Sequence, residues 1–281
     1  MSDQGVFKLS NIEEKPVYRL STGFSDLDKI YGSSKTSLFD NNVEYGLPLG
    51  KISVWSGPGG IGKTRVAVSI ASSVNSLGKR VLFFQNEASP SEFKTWTNGR
   101  ISDPDNFYVS NYSDLSEQMK VIESVMPLLV VVDSVNMIEG FENPTQLRKI
   151  MNQYRDIVRK VGCHVIFIGH LNKMGDIKGN NDIEYLADVI ARLVPHHPGV
   201  FILEINKKNR YGKIGGWVGF CHTDDGIRFL NSSINPNVVK IEPVKLEENP
   251  FPKEKPLNKH EEKVGFFDGI KKIFIGDPIW K

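Results

Sequence analysis

Eight consecutive residues, Gly57-Pro58-Gly59-Gly60-Ile61-Gly62-Lys63-Thr64, limit what this chain can fold into more than any other stretch. They satisfy the spacing G-x-x-x-x-G-K-[ST], a pattern that carries meaning only between a β-strand and an α-helix. Both flanks qualify. Ile52, Val54 and Trp55 form a β-prone run before it. Val66, Ile70, Val74 and Leu77 recur at helical spacing after it, and Gly78 stands where a helix C-cap glycine belongs. The glycines let the backbone wrap an anion with its N–H groups turned inward, and the helix N-terminus adds a favourable field. Lys63 then places a compact charge at the β- and γ-phosphates of a nucleotide. The Thr64 hydroxyl is a ligand for Mg²⁺, and Arg65 closes the nucleotide-binding stretch 57–65.

The remaining sequence supplies a sheet for this unit. Residues 81–84, 107–110, 128–134 and 164–168 read as strands. Between them lie helices: one opened by the capping box Ser89-Pro90-Ser91-Glu92, one with Leu115, Met119 and Ile122 on a face, and one opened by Asn143-Pro144. The last has the stripe Leu147, Ile150, Met151, Tyr154, Ile157, Val158 and Val161 and is stopped by Gly162. A shorter helix, with Ser25 as N-cap, ends near Tyr31-Gly32. Residues 189–194 and 200–206 read as a hairpin across Pro195 to Gly199, and 217–220 and 227–230 as a second, turned at Asp224-Asp225-Gly226. The fold class is α/β: a mostly parallel central sheet extended by antiparallel C-terminal hairpins. Ligand residues then belong at the carboxyl ends of the parallel strands.

The expected layout is a flexible segment over 1–20, an ATPase-like domain over 21–232 and a Pro, Lys and Glu-rich tail over 233–281. The tail carries Phe266, Phe267, Ile270, Ile273 and Phe274, so residues 264–280 either dock on a protein partner or pack back on the core. A net charge of +2 gives no global basic field, so any nucleic-acid contact is local. Cys163 and Cys221 cannot make a four-cysteine zinc site, and both read as core thiols. No apolar run reaches the ~18 residues of a membrane span, and no signal-peptide core opens the chain, so the expectation is a soluble cytoplasmic protein without membrane contact.

Four further positions carry chemistry. Asp133 closes an apolar strand, as a Walker B aspartate that holds Mg²⁺ does, or as a carboxylate capping a turn does. Glu87 ends the strand after the loop's helix, where a carboxylate polarises an attacking water, or is simply a solvated loop residue. His170 is either a γ-phosphate sensor or a satisfied strand-end histidine. Lys208 and Arg210, in Lys207-Lys208-Asn209-Arg210-Tyr211-Gly212, are either a solvated hairpin tip or groups that reach a neighbouring subunit's nucleotide.

Taken with these pieces, the pattern over residues 19 to 232 resembles the Sms/RadA branch of the RecA-like ATPases. The resemblance is carried by Ser21-Thr22-Gly23, Leu27-Asp28, the phosphate loop, Asn86-Glu87-Ala88-Ser89, Val130-Val131-Val132-Asp133-Ser134, Gly169-His170-Leu171-Asn172-Lys173-Met174-Gly175 and Lys208-Asn209-Arg210-Tyr211-Gly212. It implies a RecA-type core, ATP and Mg²⁺ as cofactors, a homo-oligomeric hexameric ring, and movement on single-stranded DNA in recombination, repair or replication. It makes Arg210 and Lys208 act across a subunit boundary, and residues 171 to 182 a DNA-facing loop with Lys173 and Lys178 on phosphates. A DnaB-like replicative helicase motor and a KaiC-like regulatory ATPase without a DNA role are the alternatives. Two departures are expected: the family's N-terminal zinc-finger cysteines are missing, and a short tail stands where its protease-like domain would be.

Overall fold

The computed structural model describes residues 8–13, 16–34, 44–97, 99–170 and 182–230. In chain order the elements are β1 (Arg19–Leu20), α1 (Ser25–Tyr31), β2 (Leu47–Pro48), β3 (Lys51–Gly57), α2 (Lys63–Ser76), β4 (Val81–Gln85), α3 (Pro90–Trp96), β5 (Phe107–Ser110), α4 (Leu115–Val125), β6 (Leu129–Asp133), α5 (Pro144–Val161), β7 (His164–His170), α6 (Asp182–Leu186), β8 (Val189–His197), β9 (Val200–Asn209), β10 (Gly216–Thr223) and β11 (Gly226–Leu230).

Nine strands form one sheet in the order β11-β10-β9-β8-β3-β7-β6-β4-β5. From β8 to β5 every neighbouring pair is parallel, whereas β9, β10 and β11 are each antiparallel to the strand before them in the chain. The expected α/β class and its antiparallel extension are therefore both present. The central strands are mostly apolar because helices cover them on both faces. Trp55, Val131, Ile166 and Ile168 pack with Val66, Ile70 and Val74 of α2. Ile52, Val54, Val130, Val132 and Phe167 pack with the α5 stripe Leu147, Ile150, Met151, Tyr154, Ile157 and Val158. Asn143 caps α5 by accepting the N–H groups of Thr145 and Gln146 on its Oδ1, and Gly162 ends the helix in the left-handed region at φ 79°.

At the amino edge of the sheet, two of the sequence motifs become one unit. Arg19 is buried and donates to four backbone carbonyls: Tyr31 (3.4 Å), Gly46 (3.1 Å), Ser33 (3.0 Å) and Tyr211 (2.5 Å). Asp28 accepts from the Ser21 and Thr22 hydroxyls, at 2.7 Å each, and from the Thr22 N–H. Asn209 Nδ2 donates to the carbonyls of Ile30, Tyr31 and Lys213. Gly212 must be glycine here, since a Cβ would stand 2.4 Å from the Tyr31 carbonyl oxygen. Arg19 and the end of α1 at Ile30 and Tyr31 thus hold the Asn-Arg-Tyr-Gly turn.

Several sequence expectations need correction. Ser25 is the first residue of α1 rather than its cap; Phe24 takes that position with no side-chain cap bond. Leu77 is 51% exposed, because α2 ends at Ser76 and leaves Leu77 turning away from the core. Pro195, His196 and His197 belong to β8, which bulges there to stay paired with β9, so the turn is confined to Pro198-Gly199. Cys163 is buried but Cys221 is half-buried, so only one thiol is in the core. The expectations for residues 1–7, for the loop carrying Lys173 and Lys178, and for the tail lie outside the described residues.

Candidate functional site

The phosphate-binding sequence sits at the carboxyl edge of the sheet, between β3 and α2. Gly57 is the last residue of β3, and a Cβ there would stand 2.7 Å from the Leu193 carbonyl of β8, so only glycine lets the two strands run this close. Pro58, Gly59, Gly60 and Ile61 make the turn, with Gly60 at φ 75° and Gly62 at φ 92°. Lys63 opens the helix and folds its ammonium back over the loop, donating to the Gly57 and Pro58 carbonyls at 2.9 Å each. Burial pushes the Lys63 pKa down from its ordinary value, and the charges of Asp133 and Glu87 pull it back up.

Those two carboxylates reach the loop through strand order. β6 ends at Asp133 and lies beside β4, with Gln85 opposite Asp133. Asp133 is buried, and its Oδ2 accepts the Thr64 hydroxyl at 2.5 Å. The chain leaving β4 is tied down next to it: the Asn86 N–H donates to the Asp133 carbonyl, and the Glu87 N–H to Gln85 Oε1. The Glu87 side chain is exposed at the same edge. Thr64 and Asp133 offer a hydroxyl and a carboxylate, the hard oxygen donors that suit Mg²⁺ beside phosphate. No cluster of three or more His, Cys, Asp or Glu side chains that would hold a metal without phosphate occurs among the described residues.

His170 lies in register with Gly57 across the β3–β7 pair, so its backbone borders the loop; its side chain is outside the described set. Arg65 is taken up by the adjoining turn. Its Nη2 donates to the carbonyls of Thr223 (2.5 Å) and Asp224 (3.4 Å) in the β10–β11 turn.

Lys208 and Arg210 are elsewhere. β9 runs against β8, which pairs Asn209 with Val189, and Val189 pairs in turn with Ser53 near the start of β3. Gly57 is four residues further along β3, about 13 Å at the usual strand rise. Lys208 Nζ donates to the carbonyls of Glu184 and Tyr185 at the end of α6, and burial pushes its pKa down, reinforced by the Arg210 charge. Arg210 is half exposed, with Nη1 3.7 Å from Asp188 Oδ1. The structure therefore gathers Lys63, Thr64, Asp133 and Glu87 at one edge and leaves Lys208 and Arg210 at the other.

One residue at the loop escaped the sequence reading. His222, on β10, has Nε2 3.2 Å from the Ile61 carbonyl oxygen and presses its ring on Gly62. Its only sequence signal was the hairpin itself, had the strand been extended past Phe220 to Thr223.

Comparison with known proteins fits this geometry. A family model described as an AAA domain matches residues 34–176, half of the chain. The DNA repair protein RadA of Mycobacterium tuberculosis is 25% identical over 231 residues, 79% of this chain and 46% of the relative. That of Mycolicibacterium smegmatis is 26% identical over 233 residues, 79% and 47%. That of Halalkalibacterium halodurans is 22% identical over 240 residues, 83% and 49%. The chain spans about half the length of these curated relatives. No helix among the described residues is long and apolar enough to cross a membrane. The family resemblance read from the motifs is thereby borne out: the chain belongs to the AAA-domain family, as a RecA-like ATPase of the Sms/RadA type.

Proposed function

We propose that the chain hydrolyses ATP with Mg²⁺ and uses the energy to move on single-stranded DNA, in recombination or repair. The observation that carries the reading is the meeting of Lys63, Thr64, Asp133 and Glu87 at one sheet edge, with Thr64 Oγ1 2.5 Å from Asp133 Oδ2. In this reading the backbone of Gly57, Pro58, Gly59, Gly60, Ile61 and Gly62 wraps the phosphates, and Lys63 swings from its own loop carbonyls to the β- and γ-phosphate oxygens. Thr64 and Asp133 are the residues that would hold Mg²⁺, which when bound neutralises charge on those oxygens. Glu87 takes a proton from the water that attacks the γ-phosphorus as the bond to the β-bridging oxygen breaks.

Arg210 and Lys208 enter from a neighbouring subunit. Support comes from the ~13 Å of β3 between their level and Gly57, which keeps a chain's own Arg210 off its own γ-phosphate. Head-to-tail contacts of this kind close into a ring, here a hexamer. The DNA role draws on the relatives, which are named DNA repair proteins. In this reading His170 senses the γ-phosphate, and Lys173 and Lys178 contact the strand's phosphates. The test is the ATPase rate with and without single-stranded DNA, alongside mass measurement with a non-hydrolysable nucleotide. Stimulation by DNA and a ring-sized mass are expected. Hydrolysis indifferent to DNA would point instead to a regulatory ATPase.

A further inference from the structure

The turn between β10 and β11 lies against the start of α2. Arg65 donates to its Thr223 and Asp224 carbonyls, and Arg100 Nη2 donates to Asp224 at 3.1 Å. A Cβ on Gly226 would stand 2.9 Å from Ser69 Oγ of α2. This docking sets His222 beside the phosphate loop. A Cβ on Gly62 would lie 2.2 Å from His222 Cε1, and His222 Nε2 lies 3.2 Å from the Ile61 carbonyl oxygen. That oxygen can only accept, so Nε2 carries the proton and donates. Nδ1 is buried and without a hydrogen-bond partner among the described residues.

In a trans peptide the C=O and N–H point in opposite directions. A donor that holds the Ile61 carbonyl outward therefore turns the Gly62 N–H inward, toward the cradle. The buried Ile61 side chain anchors one side of that peptide, and the His222 donor is the hydrogen bond on its carbonyl. Gly62 sits at φ 92°, where no side chain restrains it and glycine rotates at little cost. Gly59 and Gly60, in the middle of the loop, have no atom within 4 Å of where a Cβ would be. The loop is held by β8 at Gly57, by Lys63 at the Gly57 and Pro58 carbonyls, by the buried Ile61 side chain, and by His222 at the Ile61–Gly62 peptide. The geometry points to His222 as a positioning residue that orients the Ile61–Gly62 peptide and so sets the cradle's affinity for a nucleotide's phosphates. The inference rests on the reading of residues 57–64 as that cradle.

The test compares His222→Phe, which keeps bulk without a donor, with His222→Gln, whose amide can still donate, and with Lys63→Ala as reference. A fluorescently labelled ADP and ATP are titrated into each full-length protein, thermal midpoints confirm folding, and steady-state ATPase is recorded. Loss of one oriented contact should weaken nucleotide affinity about tenfold in His222→Phe, raising KM equally with kcat within about twofold. His222→Gln should stay within about threefold of the parent. His222→Leu replaces the Phe variant if the larger ring unfolds the hairpin. Parent-like affinity in His222→Phe, with binding lost in Lys63→Ala, would overturn the role of His222 and leave the cradle standing. His222→Gln as weak as His222→Phe would overturn the donor argument. Normal binding by Lys63→Ala would overturn the cradle reading and this inference together.

Discussion

Lys63 is folded over the loop, held there by two loop carbonyls and lying in the field of the Asp133 and Glu87 carboxylates. Replacing it with alanine should abolish hydrolysis and strongly weaken nucleotide binding, measured by turnover and equilibrium titration of the same preparation. Glu87→Gln should separate the two: binding within about threefold of the parent, and turnover down at least about 10², the contribution of a general base. A different residue is expected to add a pH dependence to stability. His164 is fully buried between Ser53 Oγ on Nε2 and the Pro48 carbonyl on Nδ1. Nδ1–H donates to the carbonyl, so Nε2 is left to accept from Ser53. Burial, aided by the Arg19 charge, pushes the His164 pKa down to about 4 from 6.5. A histidine with a depressed folded pKa takes its proton preferentially in the unfolded chain. Stability is therefore full above about pH 6.5 and falls as the pH drops toward 4, by about 2 kcal/mol between 6.5 and 5. Urea unfolding of His164→Asn should show a flatter dependence across that interval than the parent.

Most elements were legible in the sequence because each was marked by local chemistry. The Ser89–Glu92 capping box forms with both of its bonds, and Asn143, Pro144 and Gly162 bound α5 as their residue types require. Asn143→Ala should cost about 1 kcal/mol by urea unfolding, the usual worth of such a cap. The four residues gathered at the loop were legible for the same reason, since a strand end is visible in the pattern and strand ends share an edge. His222 and Arg19 were not. Their partners lie 161 and up to 192 residues away in sequence, and nothing local announces them. Arg19 carries no local sequence signal and is a buried clasp in the fold. Arg19→Lys should destabilise by about 3 kcal/mol or more, because a point ammonium cannot span four carbonyls and leaves buried acceptors unpaired.

At the scale of the whole molecule, the decisive fact is that β9 reverses direction against β8 and delivers Arg210 to the amino edge while the loop opens on the carboxyl edge. The proposed trans role predicts complementation. Lys63→Ala and Arg210→Ala should each be inactive, Arg210→Ala with nucleotide binding largely intact and hydrolysis down about 10³ or more. Mixed at equal concentration, the two should recover part of the activity, because some boundaries then pair an intact loop with an intact Arg210. No recovery in mixtures shown by mass to co-assemble would leave Arg210 a structural partner of Asp188. The proposed trans role also carries a prediction about the molecularity of the reaction. With Arg210 acting in trans as proposed, a lone chain would hold only part of what turnover requires, so specific activity should drop on dilution instead of staying constant. An open string of subunits always strands one loop at its end without a neighbour's arginine, and a closed circle strands none.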